Sequence, residues 1–403
     1  MAAYLLGVFL FAVGIAVTIA LHEWGHMTAA RIFGMRVRRY FIGFGPRVFS
    51  FRRGHTEYGL KAIPLGGFCD IAGMTAQEQL TPEEVPHAMF NKPWWQRIIV
   101  LLGGVIMNIL VGMIILYGVA VSSGIPNPYA DPSPVVGELS CVSNQRDAQH
   151  LEACSGTGPA EKAGLRPGDR IKSIDGNVVQ SFSQVRDWVL ERPGQEIRLG
   201  IERDGHPQEI TITVASVNRL DHDGHSFRAG AIGVSAGAPP DAVRRFGPIE
   251  AIPATAQLSA QTFSASFQGL MSLPAKIPSV AMSITGKERD KESPMSVVGA
   301  SRVGGELVEH NYWNVFFLLL ANLNFFLALF NLIPLPPLDG GHIAVVLWEK
   351  IRDGVRRLRG LPAAGPADYS KLMPLTMTIA AILVAFGALV LVADVVNPIR
   401  LYQ

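Results

Sequence analysis

The sequence predicts a polytopic α-helical membrane protein, with four transmembrane helices and a soluble α+β domain between the second and third. Three observations predict it. Of the 403 residues, 49% are hydrophobic and 17% charged, which is too apolar for an ordinary soluble chain and too polar for one wholly in lipid. Four segments reach the roughly 20 apolar residues that a spanning helix needs: Tyr4–Ala30, Arg97–Val121, Tyr312–Ile333 and Pro374–Val396. The basic residues are also unevenly spread. Arg31, Arg36, Arg38, Arg39, Arg47, Arg52, Arg53 and Lys61 follow the first span, and Lys350, Arg352, Arg356, Arg357 and Arg359 separate the third from the fourth. The positive-inside rule makes both loops cytoplasmic, which puts both termini and the stretch between spans two and three outside.

The first span, residues 1–33, lacks a basic start and is too long for a signal peptide. No Lys or Arg stands before Ala30, yet the span carries His22-Glu23-Trp24-Gly25-His26. Each charged group at the centre of a span costs roughly 2.5–3.5 kcal/mol on insertion scales, so this cluster needs a reason. On a helix, positions i and i+4 share a face, so His22 and His26 can hold one zinc ion with Glu23 beside it as general base. Residues 34–96 follow. Within them Val48–Phe51 and Tyr58–Ile63 read as a short hairpin around Arg53-Gly54-His55, framed by Gly43-Phe44-Gly45-Pro46 and Pro64-Leu65-Gly66-Gly67. Cys69 reads as a packed thiol. The second span covers residues 97–121, where Gly103 and Gly104 suit close helix packing.

Residues 122–311 form the exported section. Gly158–Asp169 contains A-G-L-x-x-G-D, followed by strand alternation and turns at Asp175-Gly176-Asn177 and Asp204-Gly205. An amphipathic stretch, Phe182–Leu190, precedes a hairpin of Ile197–Ile201 with Ile210–Val214. This order resembles a PDZ domain of the bacterial protease-associated type over residues 133–217. The resemblance makes Val135–Leu139 the groove-forming segment, with either peptide docking or a steric-filter role for the domain. Cys141 and Cys154 lie in a polar insert, where an oxidising compartment permits a disulfide; two free thiols are the alternative. Residues 260–305, with the charged run Thr285–Glu292, read either as an amphipathic connector on the outer membrane face or as a solvated linker.

Catalytic zinc usually has three protein ligands and one water, so two histidines leave the site incomplete. The third span, residues 312–333, runs into Asn331-Leu332-Ile333-Pro334-Leu335-Pro336-Pro337-Leu338-Asp339-Gly340-Gly341-His342. Prolines end the helix there, and broken backbone at membrane depth is tolerated where it lines a buried or wet site. Spans one and three both run from outside to inside. His22, nine residues before Arg31, lies roughly 13 Å from the basic rim, and Asp339 can reach a similar depth. Asp339 is therefore the candidate third ligand, with His342 as competitor and a polar helix cap as the alternative role. Residues 334–372 then read as this motif and a cytoplasmic loop, and 373–396 as the fourth span.

The set H-E-W-G-H, P-L-G-G-F at Pro64–Phe68 and N-x-x-P-x-P-x-L-D-G-G resembles the site-2 protease family of intramembrane zinc metalloproteases, in its bacterial, single-PDZ, actinobacterial form. The resemblance implies zinc on His22, His26 and Asp339, with Glu23 as base. It implies a membrane-re-entrant β-hairpin, with Gly66 and Gly67 in a loop that clamps substrate, and Asn331 helping to position the extended chain. Asn108 matches the family's G-x-x-x-N arrangement as an oxyanion donor, or serves as interhelical glue. Single-pass membrane proteins are the implied substrates, often anti-sigma factors already shortened by an upstream site-1 protease, with lipid as the surrounding partner. An inactive PDZ-bearing scaffold and a metal transporter are the competing readings. No basic, aromatic-studded tract suggests nucleic acid, and a formal net charge of +2 indicates no particular partner.

Overall fold

The computed structural model describes residues 1–75, 77–146, 150–220, 225–239, 241–285, 289, 293–399 and 401. The chain divides into two compact units: residues 1–125 with 245–403, and residues 126–244.

Among the described residues, the first unit contains four helices long and apolar enough to cross a membrane. These are α1 (Ala2–Ile32), α2 (Trp94–Ser122), α7 (Trp313–Asn331) and α9 (Met373–Val396). α1 and α2 meet through glycines: a Cβ on Gly25 would lie 2.2 Å from the Gly103 carbonyl oxygen, and one on Gly103 would lie 2.6 Å from that of Gly25. Without side chains at the crossing, the two backbones approach closely, as small residues permit in lipid.

Between them, β1 (Val37–Arg53) and β2 (Thr56–Ile71) are far longer than the short hairpin the sequence suggests. The framing glycines bend the strands rather than end them, because Gly43, Gly45 and Gly66 take φ of +86°, +81° and +135°. The pairing folds over on itself. Val37–Ile42 runs against Gly67–Ile71, while Arg39–Ile42 also faces Glu57–Leu60, which in turn pairs with Phe49–Arg52. The sheet is tied to α1 by Tyr40, whose hydroxyl donates to the Ala20 carbonyl at 2.6 Å, and by Arg31, which donates to Thr56 Oγ1 at 3.0 Å and to the Tyr58 hydroxyl.

The 260–305 connector is largely helical. It belongs to α5 (Ala251–Ile284) and α6 (Val297–Glu309), both longer in helical content than its mixed polarity suggests. Ala251 and Ala254 of α5 pack with Val119 and Ala120 of α2, and Val280 packs with Val390 and Ala393 of α9. α6 starts on a Ser296 cap and packs Val303 and Leu307 against Phe11 and Ile15 of α1. Of the charged run Thr285–Glu292, residues 286–288 and 290–292 lie outside the described residues. In the predicted 334–372 loop, α8 (Asp339–Leu358) is a 20-residue helix. A buried ion pair, Arg97 Nη1 to Glu349 Oε2 at 2.6 Å, joins α8 to the start of α2.

The second unit, which begins just after a two-residue β3 (Ile125–Pro126) starts, is built on β4 (Val135–Leu139), β5 (Arg170–Ile174), β6 (Asn177–Val178), β7 (Glu196–Arg203) and β8 (His206–Thr213). A separate hairpin, β9 (Ala215–Leu220) with β10 (Ser226–Ala231), precedes β11 (Val234–Gly237). The short α3 (Pro159–Lys162) and α4 (Phe182–Leu190) complete it. Ile171, Ile174, Ile197, Leu199, Ile201 and Ile212 form its core. The Asp169 of the A-G-L-x-x-G-D signature is structural: it is 2% exposed and accepts from Arg203 Nε and Nη2, both at 2.7 Å. Cys141 and Cys154 are bonded.

One expectation is corrected. Val135–Leu139 does not offer a free edge, because the sheet order β11-β4-β5-β7-β8 places it inside. Val136 N–H donates to the Asp169 carbonyl, and Glu138 N–H donates to Ser235 Oγ. The open space beside this sheet is instead a 320 Å³ cavity between α4 and Gly230–Val234, lined also by Cys141, Val142 and Leu151 of the disulfide insert. Of that insert, residues 147–149 lie outside the described residues.

Candidate metal centre

His22 and His26 lie one turn apart on α1, and Asp339 opens α8 after the proline-broken end of α7. Their ligand atoms meet. His22 Nε2 and His26 Nε2 are 3.1 Å apart, and Asp339 Oδ2 is 3.3 Å from the first and 3.4 Å from the second. Zinc bonds of about 2.0–2.1 Å at tetrahedral angles put neighbouring donor atoms about 3.3 Å apart. Three corners of such a tetrahedron are therefore already set. Asp339 Oδ2 is buried without a hydrogen-bond donor, as suits an atom reserved for a cation.

Local sequence explains how the groups reach one another. Gly340 and Gly341 follow a tight reversal: a Cβ on Gly340 would lie 2.3 Å from the Ile333 carbonyl oxygen, and one on Gly341 would lie 2.4 Å from Pro336 N. On the opposite side, Gly104 of α2 lies flat over both imidazoles, where a Cβ would be 2.4 Å from His26 Nε2 and 2.5 Å from His22 Cε1. His26 is oriented from behind, its Nδ1 lying 2.8 Å from the Val100 carbonyl oxygen. This fixes the tautomer, so that Nε2 is the free lone pair. The sequence marks Gly104 only as a packing glycine and as the start of G-x-x-x-N, and does not mark Val100 at all. Their role depends on which face of α2 meets α1.

Glu23 projects beside the cluster toward the sheet. A Cβ on Gly67 would be 3.1 Å from its Cγ. Gly66 cannot carry a side chain either, because a Cβ there would meet the Phe44 ring at 2.2 Å. Asn108, four residues beyond Gly104, is 1% exposed, and its Oδ1 is buried without a partner. Asn331 ends α7, with its amide donating to the Leu327 carbonyl at 3.1 Å. His342 does not join the metal cluster found among the described residues. Its ring stacks on Tyr369, with Nδ1 3.4 Å from the Tyr369 hydroxyl, a phenol that burial pushes up to about 12.

Comparison with known proteins agrees with this chemistry. The model for peptidase family M50 matches residues 10–364. The zinc metalloprotease Rip1 of Mycolicibacterium smegmatis is 44% identical, with 99% of each chain covered. The protein of the same name from Mycobacterium tuberculosis is 42% identical, over 99% of this chain and all of that one. A probable chloroplastic membrane metalloprotease of Arabidopsis thaliana, ARASP2, is 31% identical over 83% of this chain and 70% of its own. Among solved structures, the PDZ domain of an SdrC-like protein from Listeria monocytogenes aligns with a TM-score of 0.17 and 19% identity, covering 27% of this chain and 88% of that one.

Proposed function

The chain belongs to peptidase family M50, and we propose that His22, His26 and Asp339 hold its zinc while Glu23 is the general base of an intramembrane peptide hydrolysis. The protein is a zinc metalloendopeptidase of the membrane, which sets aside the scaffold and transporter readings. The convergence of three ligand atoms from α1 and α8 within 4.8 Å of one another carries the assignment.

Held by His22, His26 and Asp339, zinc would supply a water that is nucleophilic near neutral pH and a Lewis acid for the scissile carbonyl. Glu23 takes the proton of the attacking water and delivers it to the leaving amine, so the peptide C–N bond breaks as a new C–O bond forms. Asn108, buried one turn from Gly104, donates to the developing oxyanion.

The substrate is the membrane segment of a single-pass protein, because His22, Glu23 and His26 lie within a helix long and apolar enough to span. A helical substrate hides its amides in its own hydrogen bonds and must be extended before cleavage. Gly67–Ile71 supports that reading: it pairs on one side with Val37–Ile42 and runs past Glu23. Its other side receives the unwound substrate as an added strand, with Gly66 and Gly67 allowing close approach and Asn331 helping to position it. Anti-sigma factors already trimmed by a site-1 protease are the proposed substrates. The basic loops face the cytoplasm, and both termini and the PDZ-like unit lie outside. That unit either filters substrates by size or captures a peptide end in the cavity beside α4.

The test is cleavage of a tagged single-span substrate by the purified protein, wild type against Glu23→Gln. Loss of cleavage with zinc retained is expected, with the wild-type cut inside the apolar segment. Cleavage by the variant at the wild-type rate refutes the role of Glu23.

A further inference from the structure

His22 and His26 are unequal. His26 Nδ1 is matched by the Val100 carbonyl, whereas His22 Nδ1 is buried without a partner. A histidine that ligates through Nε2 carries its proton on Nδ1, and that N–H needs an acceptor to hold the ring. One turn before His22 on α1 stands Thr18, 2% exposed, whose Oγ1 accepts from Asn324 Nδ2 of α7 at 3.2 Å. The same amide group also donates to the Leu320 carbonyl, so its nitrogen is fixed. Its oxygen is not: Asn324 is fully buried, and Oδ1 has no donor. A buried unpaired donor on α1 and a buried unpaired acceptor on α7 thus remain, and Thr18, one helical turn from His22, ties the second to the α1 face that carries the first.

We propose that Asn324, held by Thr18, is the positioning residue for His22, accepting its Nδ1–H through one buried water. A water bridging two groups that each lack a partner satisfies both at little cost, and buried sites of this kind commonly hold one. The link couples α7 to the α1 ligand pair, so that the helix leading to Asp339 also orients His22. The inference rests on the proposed ligand role of His22. Asn108 Oδ1 is a second unpaired acceptor, one turn from the Gly104 that packs on His22, but no hydrogen bond holds it to α1 as Thr18 holds Asn324.

Zinc retention during dialysis of the detergent-purified full chain against a chelator, read by elemental analysis, tests this apart from activity. Outer partners of metal-binding histidines are worth about 10–100-fold in metal affinity. Asn324→Leu and Thr18→Val are expected to weaken zinc binding by that amount, while Thr18→Ser restores it. Asn322→Leu, which removes a contact to Ser266 on α5, is expected to leave it unchanged, as is Asn108→Leu. A cobalt-substituted visible spectrum that shifts in Asn324→Leu but not in Asn322→Leu supports the link even where the variant is less stable. Wild-type zinc retention in Asn324→Leu, equal loss in Asn322→Leu, or loss in Asn108→Leu alone overturns it. Wild-type zinc retention in His22→Ala marks failure of the ligand assignment itself.

Discussion

At the scale of single residues, Gly104 decides whether two imidazoles and a carboxylate can meet. A methyl group there would sit 2.4 Å from His26 Nε2. Gly104→Ala is therefore expected to displace a ligand, at an overpacking cost of about 1–3 kcal/mol, and to lower zinc occupancy. Gly118→Ala, on the same helix with nothing within 4 Å, is expected to be silent; elemental analysis of both variants checks the contrast. Asn108→Leu is expected to cut kcat by about 10²–10³-fold with little change in KM, as removal of an oxyanion donor does. The proposed ligands and base were legible in the sequence, because His22, Glu23 and His26 are anomalous in lipid and Asp339 follows a proline-broken span. Val100, Thr18 and Asn324 were not, and Gly104 was legible only as a packing glycine and the start of G-x-x-x-N. Each is an ordinary residue for a membrane helix, and acquires a role only from which helix faces meet.

At the scale of elements, the spanning helices follow from apolar length, but the intervening structure departs from local pattern. Gly43, Gly45 and Gly66 read locally as breakers of a short hairpin, whereas their positive φ values let the strands bend and continue. α8 was hidden by its own charges. Its basic residues served to orient the chain, while Val346 and Glu349, three apart and both buried, mark the helical face that packs. Glu349 also accepts from Ala367 N–H at 2.6 Å, so both of its oxygens are engaged. Glu349→Ala is expected to leave the Arg97 guanidinium buried and unpaired, costing about 3–5 kcal/mol. A lower Tm in detergent checks this, and an unchanged Tm contradicts it. Likewise Arg289 pairs with Asp394 at 2.6 Å within the α5–α6–α9 contact, which accounts for a carboxylate near the end of the fourth span.

At the scale of the whole molecule, two claims can be measured. In a Cys69→Ser background, a membrane-impermeant thiol reagent is expected to label Gly205→Cys in intact cells and Gly360→Cys only after permeabilisation. The reverse pattern contradicts the orientation. The soluble unit carries a pH dependence of its own. The hydrogen bond from Lys172, reinforced by Ser133, holds the Asp131 carboxyl well below the usual carboxylate range. A depressed carboxylate stabilises the fold above its unfolded value of about 3.9 and loses that contribution as pH falls below it. Hydrogen exchange around β5 is expected to accelerate below about pH 4, and Asp131→Asn is expected to flatten that response.

The central claim is that one zinc ion is shared by the first span and by the helix that follows the broken third span, and metal stoichiometry tests it most directly. Elemental analysis of the purified wild type, Glu23→Gln, His342→Ala and Asp339→Ala is expected to find stoichiometric zinc in the first three and its loss in the fourth. Zinc retained by Asp339→Ala, or lost from His342→Ala, would contradict the account.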